Sequence, residues 1–427
     1  MAHQPNIERL FGAVNIGSFR VSAMIAGIAE NGEMQVLGSG HRMAQGIRRG
    51  YVTDMAAATY AVRDALEKAE KLSGHNVSSV WIGSSGAGLA SRVDPVEIEI
   101  GGRRIEEEDV EHLLLAAQDV VQPDGRMVLH AHPACYFLDG ADGVANPVGL
   151  HAERLGVDIH SLLADGAPMR NVREAVESAH LDVEGIVASP LAAGYAVLSE
   201  EERDLGAALV EMGAEVTNVA VYAAGMLVGL AAIPHGSADI TDAIASAFGI
   251  KRFQAERLKC VNGSAVASPA DRKEMIPVAG PNDDAAVARG TDDRGRIPRS
   301  ELIAIVTGEL DALMTEVGRA LETLGYSGSG TAARQVVLTG GGAEMAGLAD
   351  YAQSALGMPV RIGRAPSLRG LPEAHATPGF ATLAGLVLYA ADEPADIRSV
   401  GAGRHKVTDF GWVGQVRRVV AAMKEHF

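Results

Sequence analysis

Residues Gly12–Ile28 read GAVNIGSFRVSAMIAGI, and residues Ala208–Ala223 read ALVEMGAEVTNVAVYA. Each is an apolar run, a glycine with a small neighbour and a second apolar run, the pattern of two buried strands joined by a tight turn. Val14-Asn15-Ile16-Gly17 lines up with Val210-Glu211-Met212-Gly213, so a polar or acidic residue precedes the turn glycine in both. A hairpin that recurs in the second half of the chain predicts two duplicated α/β lobes facing a shared cleft.

The surroundings of the first hairpin extend it. Phe11–Ile16, Val21–Ile28 and Met34–Gly38, separated by turns at Gly17-Ser18 and Asn31-Gly32, read as a meander. A helix follows over Asp54–Leu72, with Ala58, Ala61, Val62, Ala65, Leu66 and Ala69 at helical period. The longest apolar run, Val219–Ile233, contains Gly225 and Gly229 and falls short of the roughly 20 residues a spanning helix needs, so it reads as two buried strands.

These signals divide the chain. Residues 1–85 form the core of the first lobe, and 86–165, with one helix near Glu106–Val121, an inserted small α+β subdomain. Residues 166–236 open the second lobe with a lobe-connecting helix. Residues 237–325 are its small subdomain, 326–390 complete its core, 391–408 are a flexible linker and 409–427 an amphipathic helix. Ser264–Arg299, rich in Pro, Gly and Asp, predicts a mobile loop before the helical period resumes at Glu301–Leu324.

Composition narrows the function. The 427 residues carry a net charge of -17, which disfavours nucleic acid as a partner and requires a local basic patch for any anionic surface. The two cysteines, Cys135 and Cys260, make neither a disulfide framework nor a zinc site, and the start lacks a signal peptide, so a cytoplasmic location is expected.

Three glycine turns could admit phosphate. Gly17-Ser18 and Gly213-Ala214 close the two hairpins, and Gly340-Gly341-Gly342 follows the apolar strand Gln335–Thr339 and precedes a helix beginning near Met345. Backbone N–H groups approach an anion closely where no Cβ intrudes. In Ala255–Lys259, Glu256 and Lys259 lie three apart on one helical face, where they could hold ribose hydroxyls or form a solvated salt bridge. The C-terminal stretch places Trp412, Val413, Val416, Val419, Val420, Met423 and Phe427 at helical spacing, with Arg417, Arg418 and Lys424 adding positive charge. That is the pattern of a helix lying on a membrane surface.

These segments, with NPVGLHAERLGVDIHSL (146–162), SPLAAGYAVLSEEERDLGAALVEMG (189–213), ADITDAIASAFGI (238–250), VVLTGGGAEMAGL (336–348) and PVRIGRAP (359–366), resemble in order the FtsA family of actin-like cell-division proteins. The resemblance implies a two-lobed actin-like fold in which ATP with magnesium lies among Gly17, Ser18, Gly213, Ala214, Glu215, Gly340, Gly341, Gly342 and Met345, with Glu256 and Lys259 near the adenosine. It also implies a peripheral protein on the inner face of the cell membrane at the division site. There it would form actin-like filaments, contact anionic lipids and other division proteins, and bind the FtsZ C-terminal tail in the subdomain Ser237–Leu324, with Arg296 and Arg299 at the tail-binding position. Against the usual pattern, Asn15 stands where an acidic residue is expected, and the second loop reads Glu211-Met212-Gly213-Ala214-Glu215. Asn15 and Glu211 are the catalytic candidates, Glu211 reaching magnesium through water. A carboxylate at Glu215 would repel a terminal phosphate if it points at one, although a turn residue can equally point to water; weak binding and slow or absent hydrolysis are expected. The alternatives are a pilus-assembly actin homologue, or an enzyme of the superfamily such as a sugar kinase or exopolyphosphatase.

Overall fold

The apolar runs at the start of the chain build the first sheet. The computed structural model describes residues 7–30, 32–86, 88–121, 125–144, 146–223, 225–278, 296–326, 335–392, 394 and 396–399. Strands β1 (Ile7–Ile16), β2 (Arg20–Ala29) and β3 (Met34–Met43) form the meander, its first turn closed by the Gly17 N–H donating to the Arg20 carbonyl at 3.2 Å. A short hairpin of β4 (Ile47–Arg48) and β5 (Tyr51–Val52) leads into α1 (Met55–Ser73). Asp54 caps that helix by accepting from the Ala57 N–H at 3.0 Å, and Gly74, at φ 72°, ends it. The six apolar residues of its stripe are its buried face. They lie close against β3 because Gly38 and Gly40 carry no Cβ, which would run into the carbonyls of Ala69 and Ala65. Strand β6 (Ser79–Ser84) then adds parallel to β1.

After β6 the chain leaves the lobe. Strands β7 (Ala90–Glu99), β8 (Met127–Leu138), β9 (Ala141–Val144) and β10 (Arg154–Ala164), with helix α2 (Glu107–Val120) between the first two, make an antiparallel array in the order β7-β10-β8-β9. Leu113, Leu114 and Ala117 of α2 share a core with Val96, Leu155, Val157 and Ile159. On its return, α3 (Gly166–Glu177) carries the chain to β11 (Asp182–Ala188), which pairs parallel with β6 and completes the order β11-β6-β1-β2-β3.

Helices α4 (Ser189–Val197) and α5 (Glu200–Leu205) cross to the second lobe. There β12 (Ala207–Met212), β13 (Thr217–Ala223) and β14 (Met226–Ile233) repeat the meander. Helices α6 (Ser237–Phe248) and α7 (Arg252–Asn262), the small hairpin β15 (Met275–Pro277) with β16 (Arg296–Pro298), and α8 (Arg299–Thr323) follow. Then β17 (Gln335–Thr339), α9 (Leu348–Leu356) and β18 (Val360–Ile362) add two parallel strands, giving β18-β17-β12-β13-β14. The two five-strand orders and directions are identical, so the duplication read from the hairpins holds strand for strand. One further bridge, Ala231↔Ala90, joins the inserted array to the edge of the second sheet.

Five expectations change. Residues 166–188 belong to the first lobe, because β11 pairs with β6. The final helix, α10 (Ala381–Asp392), also returns there, packing on α4 with Gly385 against the Ala192 carbonyl. The helix expected near Met345 is instead a 3-10 turn at Gly341–Glu344, and α9 starts at Leu348, because Gly340 and Gly347, at φ 85° and 76°, break the path on either side. Within Ser264–Arg299, residues 279–295 lie outside the described residues, and in the remainder Asp271 and Ile276 are buried, the latter in β15. The polar composition there hid two anchoring side chains.

The linker expected at 391–408 begins differently. The chain remains helical to Asp392, and Ile397, 1% exposed, enters the core of the inserted subdomain. Arg398 donates to the Val128 and Leu129 carbonyls at 2.7 and 2.5 Å, Asp396 accepts from the Ala131 N–H at 3.3 Å, and Gln118 donates to the Ile397 carbonyl. This strap lies beside three histidines on one face of the array, His130, His132 and, opposite the latter, His160. Burial, reinforced by His132, holds His130 well below the ordinary histidine value of 6.5 and His160 at about 4. Asp396 and Arg398 also face His130, the first raising its pKa and the second lowering it.

The unfolded chain therefore takes up these protons first. Stability is complete above pH 6.5 and falls as pH drops below it, each ring costing about 1.4 kcal/mol per pH unit until its folded pKa is reached. Urea midpoints at pH 7.5 and 5 should differ, and His160→Leu should flatten the difference. Equal midpoints for the unaltered protein would refute the assignment.

Candidate functional site: the interlobe cleft

The two hairpin turns face one another across a third element. The Gly213 N–H donates to the Val216 carbonyl at 2.9 Å, the counterpart of the Gly17–Arg20 bond. Between the turns stands the tip of the β4–β5 hairpin, where the Gly50 N–H donates to Ser18 Oγ at 3.1 Å and the Arg49 N–H to Glu215 Oε2 at 2.6 Å. Glu215 Oε1 also lies 3.9 Å from the Arg252 guanidinium. Its carboxylate is thus engaged by protein donors, where the sequence left open whether it faces a phosphate or water. The Ala214 carbonyl accepts from the Ala238 N–H at 2.7 Å, so the start of α6 backs the second turn.

Below the turns lies a buried polar network. Glu211, 6% exposed at the end of β12, accepts from Ser189 Oγ at 2.5 Å, Thr382 Oγ1 at 2.5 Å and Asn218 Nδ2 at 3.0 Å. Asn218 Nδ2 also donates to Ser85 Oγ at 2.9 Å. These donors come from α4, α10 and β13, so the carboxylate pins the second lobe to helices packed on the first. Asn15 sits beside Gly83, and its Oδ1, like that of Asn218, is buried with no hydrogen-bond partner among the described residues. Buried oxygen acceptors in this position suit the water shell of a divalent cation, which presents only donors. The residues present therefore fit hydrated magnesium, with Glu211 as the charged member.

The third turn joins the same cleft. Gly340 and Gly342 pack on Met212 at the foot of the second hairpin, and Met345, half-buried, caps the 3-10 turn in an extended conformation. Gly341 is exposed and open. On α7, Lys259 is 8% exposed and donates to the Ser237 carbonyl, Thr241 Oγ1 and Glu256 Oε2, each at 2.8 Å. Burial pushes the Glu256 carboxyl up, but its hydrogen bond to Lys259 and that residue's charge more than offset this and leave it lowered. The pair is partly buried and fixed against α6 rather than a solvated bridge. Lys259 aims the carboxylate.

Other candidates fall elsewhere. Arg296, exposed on β16, donates to the Met275 carbonyl at 3.2 Å. Arg299 is held by buried Asp271 at 2.8 Å and the Asn262 carbonyl at 2.8 Å. Trp412, Val413, Val416, Arg417, Arg418, Val420, Met423, Lys424 and Phe427 lie outside the described residues. Sequence reading missed Ser189, Asn218, Thr382 and the Arg49–Gly50 tip. Asn218 offered a signal, a lone amide inside an apolar strand; Thr382 offered none.

The relationship of the chain to known proteins rests on whole-length likeness. The family model for cell division protein FtsA matches residues 208–385, and that for the SHS2 domain inserted in FtsA matches 86–163. The chain is 32% identical over 433 aligned residues to the FtsA of Rhizobium meliloti, covering 98% of this chain and 95% of that one. The chain belongs to the FtsA family. It is 30% identical to the Escherichia coli K12 FtsA, over 90% of each chain. Among solved structures, a PilM–PilN type IV pilus biogenesis complex matches with TM-score 0.61 at 17% identity, over 91% of this chain and 99% of that one. Spiroplasma citri MreB5 bound to AMPPNP matches with TM-score 0.51 at 14% identity, over 90% and 96%. These two share the actin-like fold. An FtsA-family chain with that fold is a cell-division protein.

Proposed function

We propose that this FtsA-family chain tethers FtsZ to the inner face of the cytoplasmic membrane and assembles there into actin-like filaments, with magnesium and ATP held weakly in the interlobe cleft. The observation that carries the tether is the C-terminal pattern, in which an apolar stripe from Trp412 to Phe427 is flanked by Arg417, Arg418 and Lys424 in a chain of net charge -17. Such a stripe has nothing to gain from water and a local charge suited to anionic headgroups. The FtsZ tail is assigned to the subdomain of residues 237–325. Arg296 is exposed there, while Arg299, committed to Asp271, shapes the surface. Other division proteins are expected on the same assembly, and nucleic acid is not.

Family membership, Asn15 in place of a carboxylate, and Glu211 enclosed by three donors favour an adaptor over a phosphotransferase. If magnesium and ATP bind, the cation supplies charge to the phosphates. The contributions of the protein itself are the N–H groups of the glycine turns, the acceptors Asn15 and Glu211 for the cation's waters, and the Glu256 carboxylate for ribose hydroxyls. Sedimentation with phosphatidylglycerol vesicles tests the reading. FtsZ should pellet only when this chain is present, and removing residues after Thr408 should leave both proteins in the supernatant. FtsZ remaining soluble while this chain pellets would refute it.

A further inference from the structure

We propose that the Glu215 carboxylate is a built-in occupant of an anion seat, which latches the two lobes together and must be displaced by the terminal phosphate of a bound nucleoside triphosphate. This rests on the nucleotide reading of the cleft. The seat is made by both lobes. Arg49 and Gly50, at φ 50° and 77°, are consecutive left-handed residues at the tip of the first-lobe hairpin β4–β5. Successive N–H groups in a turn of this kind form a small concave donor site for an anion. A side chain is not tolerated at the second position, because a Cβ on Gly50 would run into the Ser85 carbonyl.

The second lobe supplies the rest. Arg252, held to Asp242 at 2.8 Å, brings its guanidinium to 3.9 Å from Glu215 Oε1, while Glu215 Oε2 takes the Arg49 N–H at 2.6 Å. A carboxylate therefore already lies between an N–H of one lobe, on one oxygen, and a cation of the other, near its second oxygen. The neighbouring N–H, of Gly50, is spent on Ser18 Oγ of the first turn. The tip thus touches both hairpin turns, the pair between which a phosphate chain would lie. A diphosphate that stops short of the tip leaves the latch closed; a third phosphate competes with Glu215 for the same donors. The altered second loop is then a selector between nucleotides as well as a source of repulsion.

Amide exchange and calorimetry on the full-length protein test the proposal. Without nucleotide, the Arg49 amide should be protected in the unaltered protein, remain protected in Glu215→Gln, whose side-chain oxygen still accepts, and exchange faster in Glu215→Ala. With magnesium present, Glu215→Ala should tighten ATP about tenfold, the scale of one charge-assisted hydrogen bond, leave ADP within about threefold, and shift AMP not at all. Unchanged Arg49 protection in Glu215→Ala overturns the latch, and equal gains for ATP and ADP overturn the phosphate seat. The nucleotide reading is judged separately, by whether the unaltered protein binds ADP.

Discussion

Glu211→Ala should destabilise the protein by about 3 kcal/mol or more, the largest effect expected of any single substitution in the cleft. The carboxylate is buried and accepts from Ser189, Thr382 and Asn218. Truncation leaves the buried Ser189 and Thr382 hydroxyls without this acceptor, while Asn218 keeps Ser85 Oγ, and each such orphan costs about 1–3 kcal/mol. Glu211→Gln should cost less, because Thr382, which faces Oε1, can turn to accept from the new amide while the oxygen at the Oε2 position still serves Ser189 and Asn218. The damage should also be directional. Ser189 and Thr382 belong to helices packed with the first lobe, so losing their partner frees the lobes from one another. Urea unfolding followed by Trp81 emission, with amide exchange across α4 and α10, would report both consequences. A Glu211→Ala protein as stable as the parent, with unchanged exchange in those helices, would show that the network does not join the lobes. The same variant should bind ADP with no dependence on magnesium, since Asn15 and Asn218 carry no charge to hold the cation's waters.

Local chemistry made much of this legible. The paired hairpins announced themselves through apolar alternation broken by glycine, and the stripe from Ala58 to Ala69 is the buried face of α1. What the sequence hid is choice of partner. Nothing in Asp182–Ala188 says that this strand pairs with β6 rather than opening the second lobe; that follows only once β6 is seen to need a parallel neighbour. Ile397 reads as one apolar residue in a polar stretch, yet it fills the inserted core. Glu215 reads as a charge beside a phosphate loop because its donor, Arg49, lies 166 positions away. Lys259 reads as a surface cation because a helical face does not reveal that α6 covers it. Contacts between elements decide these cases, and periodicity within an element carries no record of them.

Membrane binding should be steeply cooperative in protein concentration and should vanish in the double variant Trp412→Glu, Phe427→Glu. A chain of net charge -17 is repelled by anionic lipid, so attachment would depend on the stretch 409–427. Its basic residues gain about 1 kcal/mol each near an anionic surface, and its apolar stripe adds the burial of Trp412, Val416, Val420, Met423 and Phe427, which for one short helix amounts to modest, reversible binding. The docking of Ile397 and Arg398 onto the inserted subdomain sharpens the geometry. Nine residues, 400 to 408, span at most about 3.5 Å each, so a membrane-bound stretch 409–427 would keep the inserted subdomain of each protomer near the bilayer. Protomers joined in a filament would present their helices in a row on that one side, and linked sites raise avidity by roughly 10² to 10⁴. The vesicle isotherm of the unaltered protein should accordingly be sigmoidal, with filaments visible on the lipid at its midpoint. The double variant, which places a carboxylate at each end of the stripe, should lose at least about a hundredfold in affinity. A hyperbolic isotherm without oligomers on the lipid would remove the filament from the proposal, and vesicle binding undiminished in the double variant would remove the tether.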